Sequence, residues 1–408
     1  MNPLYVGIDV SSKSNVVFLM LPNGDKHSNF SVANSHDGST KLVKHILSAI
    51  TSHSLDTVII GLEATSVYGD NLVYFLREDA TLAPFNRKIH VLNPKQVKNF
   101  KEAYNDLPKN DYVDSYVIAD CLRFGRINKE VYQGDYRYKA LQNLTRARFF
   151  AVQNLVKEKQ RFINVLFKKY STMTQEKVFS DTFSTTALAV YEEFESAEAL
   201  AAMDLQELTD FIMEKGKNRF PDPDAVAKAI QKAAKSSYRL PKTVNDSVNQ
   251  VLSISITSIK ALDAQIKEFD KAIKAQMELL PNVLTSIPGI GPVYSAGIIA
   301  EIGDINRFPS QSALGKYAGL AWTQNQSGDF ESENTKLIKS GNRFLKYYLC
   351  EGALSLVRCD TEYSNFYHSK YKEVNRHQHK RALALTARKF VRLVFRLLKD
   401  NRLYRAAE

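Results

Sequence analysis

Carboxylates inside apolar, strand-forming runs are the strongest constraint on how this chain folds. Asp9 stands in Tyr5-Val6-Gly7-Ile8-Asp9-Val10, and Glu63 closes Thr57-Val58-Ile59-Ile60-Gly61-Leu62-Glu63. Both runs have the length and composition of strands. A charge on such a strand is costly unless something pairs with it. A divalent cation is a natural partner, because Mg²⁺ prefers carboxylate and water oxygens. Two further acids follow in Lys109-Asn110-Asp111-Tyr112-Val113-Asp114. Asp111 and Asp114 are three apart, so on a helix they share a face, where like charges repel unless a cation sits between them. Alone, that pair also fits an ordinary helix start with Lys109 as a surface partner. Together with Asp9 and Glu63 it reads as a metal site, with Asp9 and Asp114 the most direct ligands. Two ions about 4 Å apart can clamp the attacking and leaving oxygens of a phosphodiester. The chemistry expected is therefore polynucleotide cleavage or strand transfer.

The element order around these acids supports the same reading. Strand 5–10 is followed by a second strand, Val16 to Met20, a turn at Asn23-Gly24, and a third strand at Phe30-Ser31-Val32. That is a three-stranded meander with a hairpin signal. Leu42, Val43, Ile46, Leu47 and Ile50 then recur at helical spacing, ahead of the Glu63 strand. A helix through Leu72, Phe75 and Leu76, a strand at 88–92 and a helix from Asp111 to Phe124 complete the region. Three strands followed by alternating helices and strands is the order of the ribonuclease H and RuvC fold.

Beyond residue 138 the pattern turns helical. A helix starting at Leu141 runs past Leu166, and Arg146, Arg148, Lys157, Lys159, Arg161, Lys168 and Lys169 are expected on its exposed side. Short helices are expected over 172–242. From Thr243 to Leu280 a long helix places Leu252, Ile259, Leu262, Ile266, Phe269, Ile273 and Leu280 in three- and four-residue steps, interrupted at Ser255 and Gln276. This is a coiled-coil seam that either packs within its own domain or sets the geometry of a dimer. Pro281 is expected to end that helix. The chain thus divides into an α/β domain at 1–132, a helical coiled-coil and dimerisation region at 133–280, and a mainly α domain at 281–408.

A formal net charge of +11 over 408 residues suits a polyanionic partner. Cys121, Cys350 and Cys359 lack zinc-ligand spacing and suit a reducing cytoplasm. No apolar run reaches the ~18 residues of a membrane span, and the N-terminus has no signal-peptide pattern.

The C-terminal third carries further motifs. Pro288-Gly289-Ile290-Gly291-Pro292 has the form of a helix-hairpin-helix turn. Gly289 and Gly291 would let the backbone approach a phosphate, with the following helix N-terminus facing the anion. The alternative is a tight turn that serves packing. Tyr317-Ala318-Gly319-Leu320 leads to Ser327-Gly328, then to Lys339-Ser340-Gly341-Asn342. By chemistry alone Ser327 is a surface serine, since a nucleophile needs its proton removed and its oxyanion stabilised. Lys339, Arg343 and Lys346 offer positive charge to a phosphate. From Arg376 to Arg405 a basic amphipathic segment suits nucleic acid better than a membrane surface. His368, His377 and His379 within it read as a solvated face rather than a metal site.

These motifs, in this order and spacing, resemble the IS110 family of insertion-sequence transposases over nearly the whole chain. Gly7 to Ser11, Leu62 to Thr65 with Tyr68-Gly69, and Asp111-x-x-Asp114 resemble its DEDD motif; Pro288 onward resembles its C-terminal transposase domain. The resemblance implies a DNA recombinase with a RuvC-like domain, a coiled-coil linker and a C-terminal domain with a nucleophilic serine. That serine, Ser327 by position, would form a covalent phosphoserine link to DNA. Asp9, Glu63, Asp111 and Asp114 would bind Mg²⁺ and complete a composite site with it across subunits. A structured bridge RNA would pair with donor and target DNA, and a homodimer or homotetramer in the bacterial cytoplasm, on the nucleoid, would do the work. Trp322 stands where the family commonly has proline, Lys346 where it has arginine, and Ser340 puts a second serine close by. Two other functions remain open at this point: a RuvC-like junction resolvase using metal-activated water, and a non-catalytic architectural nucleic-acid binder.

Overall fold

The computed structural model describes residues 2–64, 67–104, 107–108, 110–125, 136–176, 178–323 and 336–405, with the backbone of 326–327 and 330–331. Two compact units divide it, residues 1–134 and 135–408.

The first unit is built on a five-stranded mixed sheet. Its strands are β1 (Pro3–Val10), β2 (Ser14–Met20), β3 (Lys26–Ala33), β4 (Thr57–Glu63) and β5 (Asn86–Leu92). They lie in the order β3-β2-β1-β4-β5. The meander β1–β3 is antiparallel, and β4 and β5 add in parallel to β1. The turn at Asn23-Gly24 forms as its sequence demands, with Gly24 at φ +93°. Helices α1 (His36–Ser52), α2 (Asp70–Glu78), α3 (Pro94–Lys101) and α4 (Asp111–Phe124) complete the unit.

Strand alternation sends Leu4, Val6, Ile8, Val58, Ile60 and Leu62 to one face, where they meet α1 and α2 in a buried core. The opposite face carries Tyr5, Gly7, Ile59 and Gly61 and is covered by α4. Gly7 and Gly61 are cross-strand partners. A Cβ on Gly7 would stand 2.0 Å from the Ser115 carbonyl oxygen, and one on Gly61 would meet Leu122 at 2.8 Å. The two glycines therefore form a trough in which α4 lies with its backbone against the sheet.

The second unit is helical and has two cores. Two long helices, α5 (Tyr136–Lys169) and α11 (Lys242–Met277), run antiparallel against each other. Contacts between Arg137 and Leu279, Arg148 and Asp270, and Glu158 and Ser255 trace that direction. One core joins this pair to the five short helices α6 (Ser171–Glu176), α7 (Thr185–Glu193), α8 (Ala197–Ala202), α9 (Leu205–Gly216) and α10 (Pro223–Ser236). The other core gathers α12 (Pro292–Ile302), α13 (Gln311–Tyr317), α14 (Arg343–Cys359), α15 (Thr361–Lys372) and α16 (Gln378–Asp400).

Several expectations are corrected here. Of the two readings of the α11 seam, the fold has the packing within the chain, where Leu252 and Ile259 are buried and Ser255 bonds to Glu158. The helix ends at Met277, so Leu280 and Pro281 lie beyond it. Of the basic residues expected on the exposed side of α5, three turn inward. Arg146 pairs with Glu301 and Arg148 with Asp270. Lys169 is buried, donates to the carbonyls of Tyr191 and Phe194, and is pushed down to about 8 by that burial. The amphipathic segment at the C-terminus buries its apolar face too: Phe390, Val391 and Val394 are core residues, which leaves no free lipid-facing stripe. No helix of the described residues is long and apolar enough to cross a membrane.

Candidate metal centre and C-terminal motif cluster

Asp9 and Glu63 sit at the carboxyl ends of two neighbouring parallel strands. The ladder pairs Ile8 with Leu62, and the two acids are the next residues along. They lie two residues beyond Gly7 and Gly61, hence on the face that α4 covers. Asn110 caps α4, accepting from the Val113 amide at 2.8 Å, which puts Asp111 and Asp114 in the first turn. Carboxylates there are favoured by the unpaired amides of the helix start. The glycine trough brings that turn onto the strand ends. Carboxylate oxygens of Asp9, Asp111 and Asp114 all lie within 4.8 Å of one another.

The local electrostatics follow from this crowding. Burial, with the charges of Asp114 and Asp111, raises the Asp9 carboxyl above its ordinary value. Burial, with Asp9 and Asp114, raises Glu63 likewise, so Glu63 adjoins the cluster although it stands outside the closest three. Lys101, at the end of α3, places its Nζ 2.5 Å from Asp114 Oδ1 and offsets part of the negative charge. One ammonium against four carboxylates leaves an excess of negative charge. The donor set is all hard oxygen, and ligand oxygens on opposite sides of Mg²⁺ stand about 4 Å apart. The residues present fit a divalent cation.

The C-terminal motifs converge on a different construction. Gly319 (φ +71°) and Gly341 (φ +129°) cross backbone to backbone, and a Cβ on Gly341 would stand 2.5 Å from the Gly319 Cα. Tyr317-Ala318-Gly319-Leu320 and Lys339-Ser340-Gly341-Asn342 are thus two sides of one joint. From it a short antiparallel ribbon extends, in which Ile338 donates to Ala321 and Thr323 to Lys336. Gln326 and Ser327 pair with Glu331 and Phe330 in a two-stranded sheet of their own. The Ser327 side chain, like Gly328 and Lys109, lies outside the described residues. Asn342 caps α14 through the amides of Phe344 and Leu345, and Lys339 and Arg343 are exposed beside it while Lys346 is half-buried.

The predicted hairpin at 288–292 splits into two roles. Only a three-residue 3-10 turn, Leu284–Ser286, directly precedes it. Gly289 (φ +78°) faces α14, where a Cβ would meet Ser355 Oγ at 2.8 Å, and its carbonyl accepts from that hydroxyl. It serves packing. Gly291, at the start of α12, is exposed and has nothing within 4 Å of where a Cβ would stand.

Sequence reasoning missed Lys101, the Gly7–Gly61 trough and Glu301. Glu301 is fully buried on α12, accepting from Arg146 in bidentate fashion (2.7 and 2.9 Å), from Gln142 (3.2 Å) and from Asn342 (2.7 Å). The signal was present: Glu301 interrupts the apolar run Ala296-Gly297-Ile298-Ile299-Ala300, as Asp9 interrupts β1.

A mixed sheet in this order, with acids at the carboxyl ends of its central strands, is consistent with a RuvC-like domain. Residues 6–170 match the family model of the DEDD transposase of IS110 type. Residues 282–368 match a second model, described as a transposase of the IS116/IS110/IS902 family. The chain belongs to the IS110 family of transposases and is an enzyme acting on DNA. It is 26% identical to an uncharacterized protein of insertion element IS116 from Streptomyces clavuligerus, over 80% of each chain. It is 23% identical to an uncharacterized protein of insertion element IS900 from Mycobacterium paratuberculosis, over 99% of this chain and 98% of the relative. A putative transposase for IS117 from Streptomyces coelicolor is 24% identical over 65% of this chain and 66% of its own.

Proposed function

We propose that this transposase is a Mg²⁺-dependent, site-specific DNA recombinase with a serine nucleophile, directed to donor and target DNA by a structured guide RNA. The observation that carries the reading is the meeting of Asp9, Asp111 and Asp114 within 4.8 Å, from segments about a hundred residues apart in sequence. With Glu63 they are assigned as the ion's ligands. When bound, Mg²⁺ supplies Lewis-acid stabilisation of phosphate oxygens.

Ser327 is assigned as the nucleophile. Its Oγ loses its proton and bonds to phosphorus, and the departing DNA oxygen leaves as a hydroxyl after taking up a proton. Lys339, Arg343 and Lys346 are assigned to the negative charge that builds on the phosphate. Support comes from Ser327 lying within the matched region 282–368, in the segment between the two sides of the joint that carries these cations. Gly291 is assigned to backbone contact with duplex phosphates, as the open member of the proposed helix-hairpin-helix, and Gly289 to holding that turn. The domain division at 1–132, 133–280 and 281–408, assembly as a homodimer or homotetramer, and action on nucleoid DNA in the bacterial cytoplasm are part of the same reading.

The junction-resolvase alternative is favoured by one observation: the acidic cluster is complete without any serine. The test is the protein–DNA adduct. Wild-type protein should leave donor DNA attached through denaturation, and Ser327→Ala should bind DNA normally and leave none. An adduct that persists in Ser327→Ala and disappears in Ser340→Ala moves the nucleophile to Ser340. Cleaved DNA with free ends and no attached protein would establish the resolvase. Sequencing of RNA that copurifies with the protein tests the guide: a single structured species supports it, and random fragments reject it.

A further inference from the structure

An aromatic cluster where α5 meets α14 has no role in the chemistry above. Phe149 packs edge-on against Phe344 at 5.1 Å and Tyr347 at 4.8 Å between ring centres, and Phe150 lies 5.8 Å from Phe344. Phe149 is half-buried, which explains its ring as packing. Phe150 is 46% exposed, and packing does not explain it. The Arg343 guanidinium lies 5.4 Å from the Phe150 ring centre and 4.7 Å from that of Phe344.

Charge distinguishes this patch from its surroundings. On the same stretch of α5, Arg146 and Arg148 are each neutralised by a carboxylate. Arg343 is exposed and has no carboxylate partner among the described residues. Arg146 stacks on Phe344 at 4.5 Å while gripped by Glu301, so the buried side of the cluster is rigid. The result is an exposed phenyl beside a free guanidinium on a fixed base, continuous with the Lys339–Asn342 loop.

We propose that Phe150, Phe344 and Arg343 form a stacking platform for an unpaired base of single-stranded DNA. A phenyl face and a guanidinium plane both stack on any nucleobase, and the positive charge tracks its phosphate. Paired bases in a duplex have no free face to offer, so the platform selects strands that are locally open. DNA is the occupant because the chain acts on DNA and the platform adjoins the joint from which the ribbon extends. The assignment does not depend on which group attacks the phosphodiester.

The experiment measures binding by the full chain to a labelled single-stranded oligodeoxynucleotide, the matching duplex and the matching oligoribonucleotide. Phe150→Ala should weaken single-stranded DNA binding about ten-fold, the loss of one stacked base. Duplex binding should hold, and Phe150→Trp should restore the wild-type affinity for the single strand. Arg343→Lys keeps the charge offered to a phosphate and loses the plane, so it should weaken the single strand more than the duplex. Ser327→Ala should show the same Phe150 dependence, which separates this test from that of the nucleophile. Equal losses on single strand and duplex, no loss in Phe150→Ala, or a loss confined to RNA would each overturn the proposal. Melting temperature checks folding, and the Phe150→Trp arm keeps the result decisive should Phe150→Ala be destabilised.

Discussion

Asp9 is a carboxylate that the fold raises and a cation would lower. In the metal-free protein Asp9 and Glu63 hold their protons above the ordinary carboxylate range, because burial and neighbouring acids oppose ionisation. Across that window the folded state binds more protons than the unfolded one, so stability falls as pH rises from the ordinary carboxylate value to the raised one. A divalent ion requires the ionised forms, so its stabilisation should grow with pH over the same window. Melting curves with and without Mg²⁺ at stepped pH check this. Asp9→Asn should abolish strand cleavage and the Mg²⁺-dependent rise in melting temperature, while leaving the metal-free protein no less stable. Glu301 is the opposite case, a buried carboxylate already satisfied by Arg146, Gln142 and Asn342. Glu301→Ala strands those donors and should cost about 3 kcal/mol in urea denaturation, the low end for a broken buried pair. The low end applies because Arg146 is 36% exposed and water can replace part of its partner.

Among elements, α4 and β1 decide the candidate metal centre. Gly7→Val places a branched side chain where the Ser115 carbonyl already stands. Overpacking of this kind costs about 1–3 kcal/mol. The helix must lift, taking Asp111 and Asp114 away from Asp9, so the variant should also lose its thermal response to Mg²⁺. In α16 the two faces separate stability from binding. Phe390→Ala, in the core, should cost about 3–5 kcal/mol. Arg392 and Arg396 are exposed. Removing both should leave the melting temperature unchanged and flatten the log–log salt dependence of DNA affinity by about one unit per arginine. An unchanged salt slope would show that this face does not meet DNA.

For the whole molecule, all four acids and Lys101 belong to the first unit, which has cores of its own. A fragment of residues 1–134 should therefore fold alone, show the Mg²⁺-dependent rise in melting temperature, and cleave no DNA. A fragment that fails to respond to Mg²⁺ would place part of the ion's coordination elsewhere in the chain.

Local patterns were enough to place much of this protein. Strand alternation, the Asn23-Gly24 turn and helical spacing located the five strands and three of the four α-helices of the first unit, while α3 and the order of the strands in the sheet came only with the fold. Acids inside apolar runs marked Asp9 and Glu63, because a buried charge is conspicuous in a short window. The partners of such charges were not legible, since they come from distant segments. That Arg146 on α5 faces Glu301 on α12, that Arg148 meets Asp270, and that the α11 seam closes against α5 are outcomes of long-range packing. Glycine spacing in β1 and β4 gave no local sign of its purpose. Only with the strands paired do Gly7 and Gly61 adjoin and open the trough that seats α4. Local patterns marked the acids that interrupt apolar strands and most of the strands and helices, because those follow from neighbours a few residues away; they did not reveal that Lys169 and Glu301 are buried. The tertiary structure alone decided which charges meet, which are neutralised and which stay open to a ligand, because that depends on distances between residues far apart in the chain.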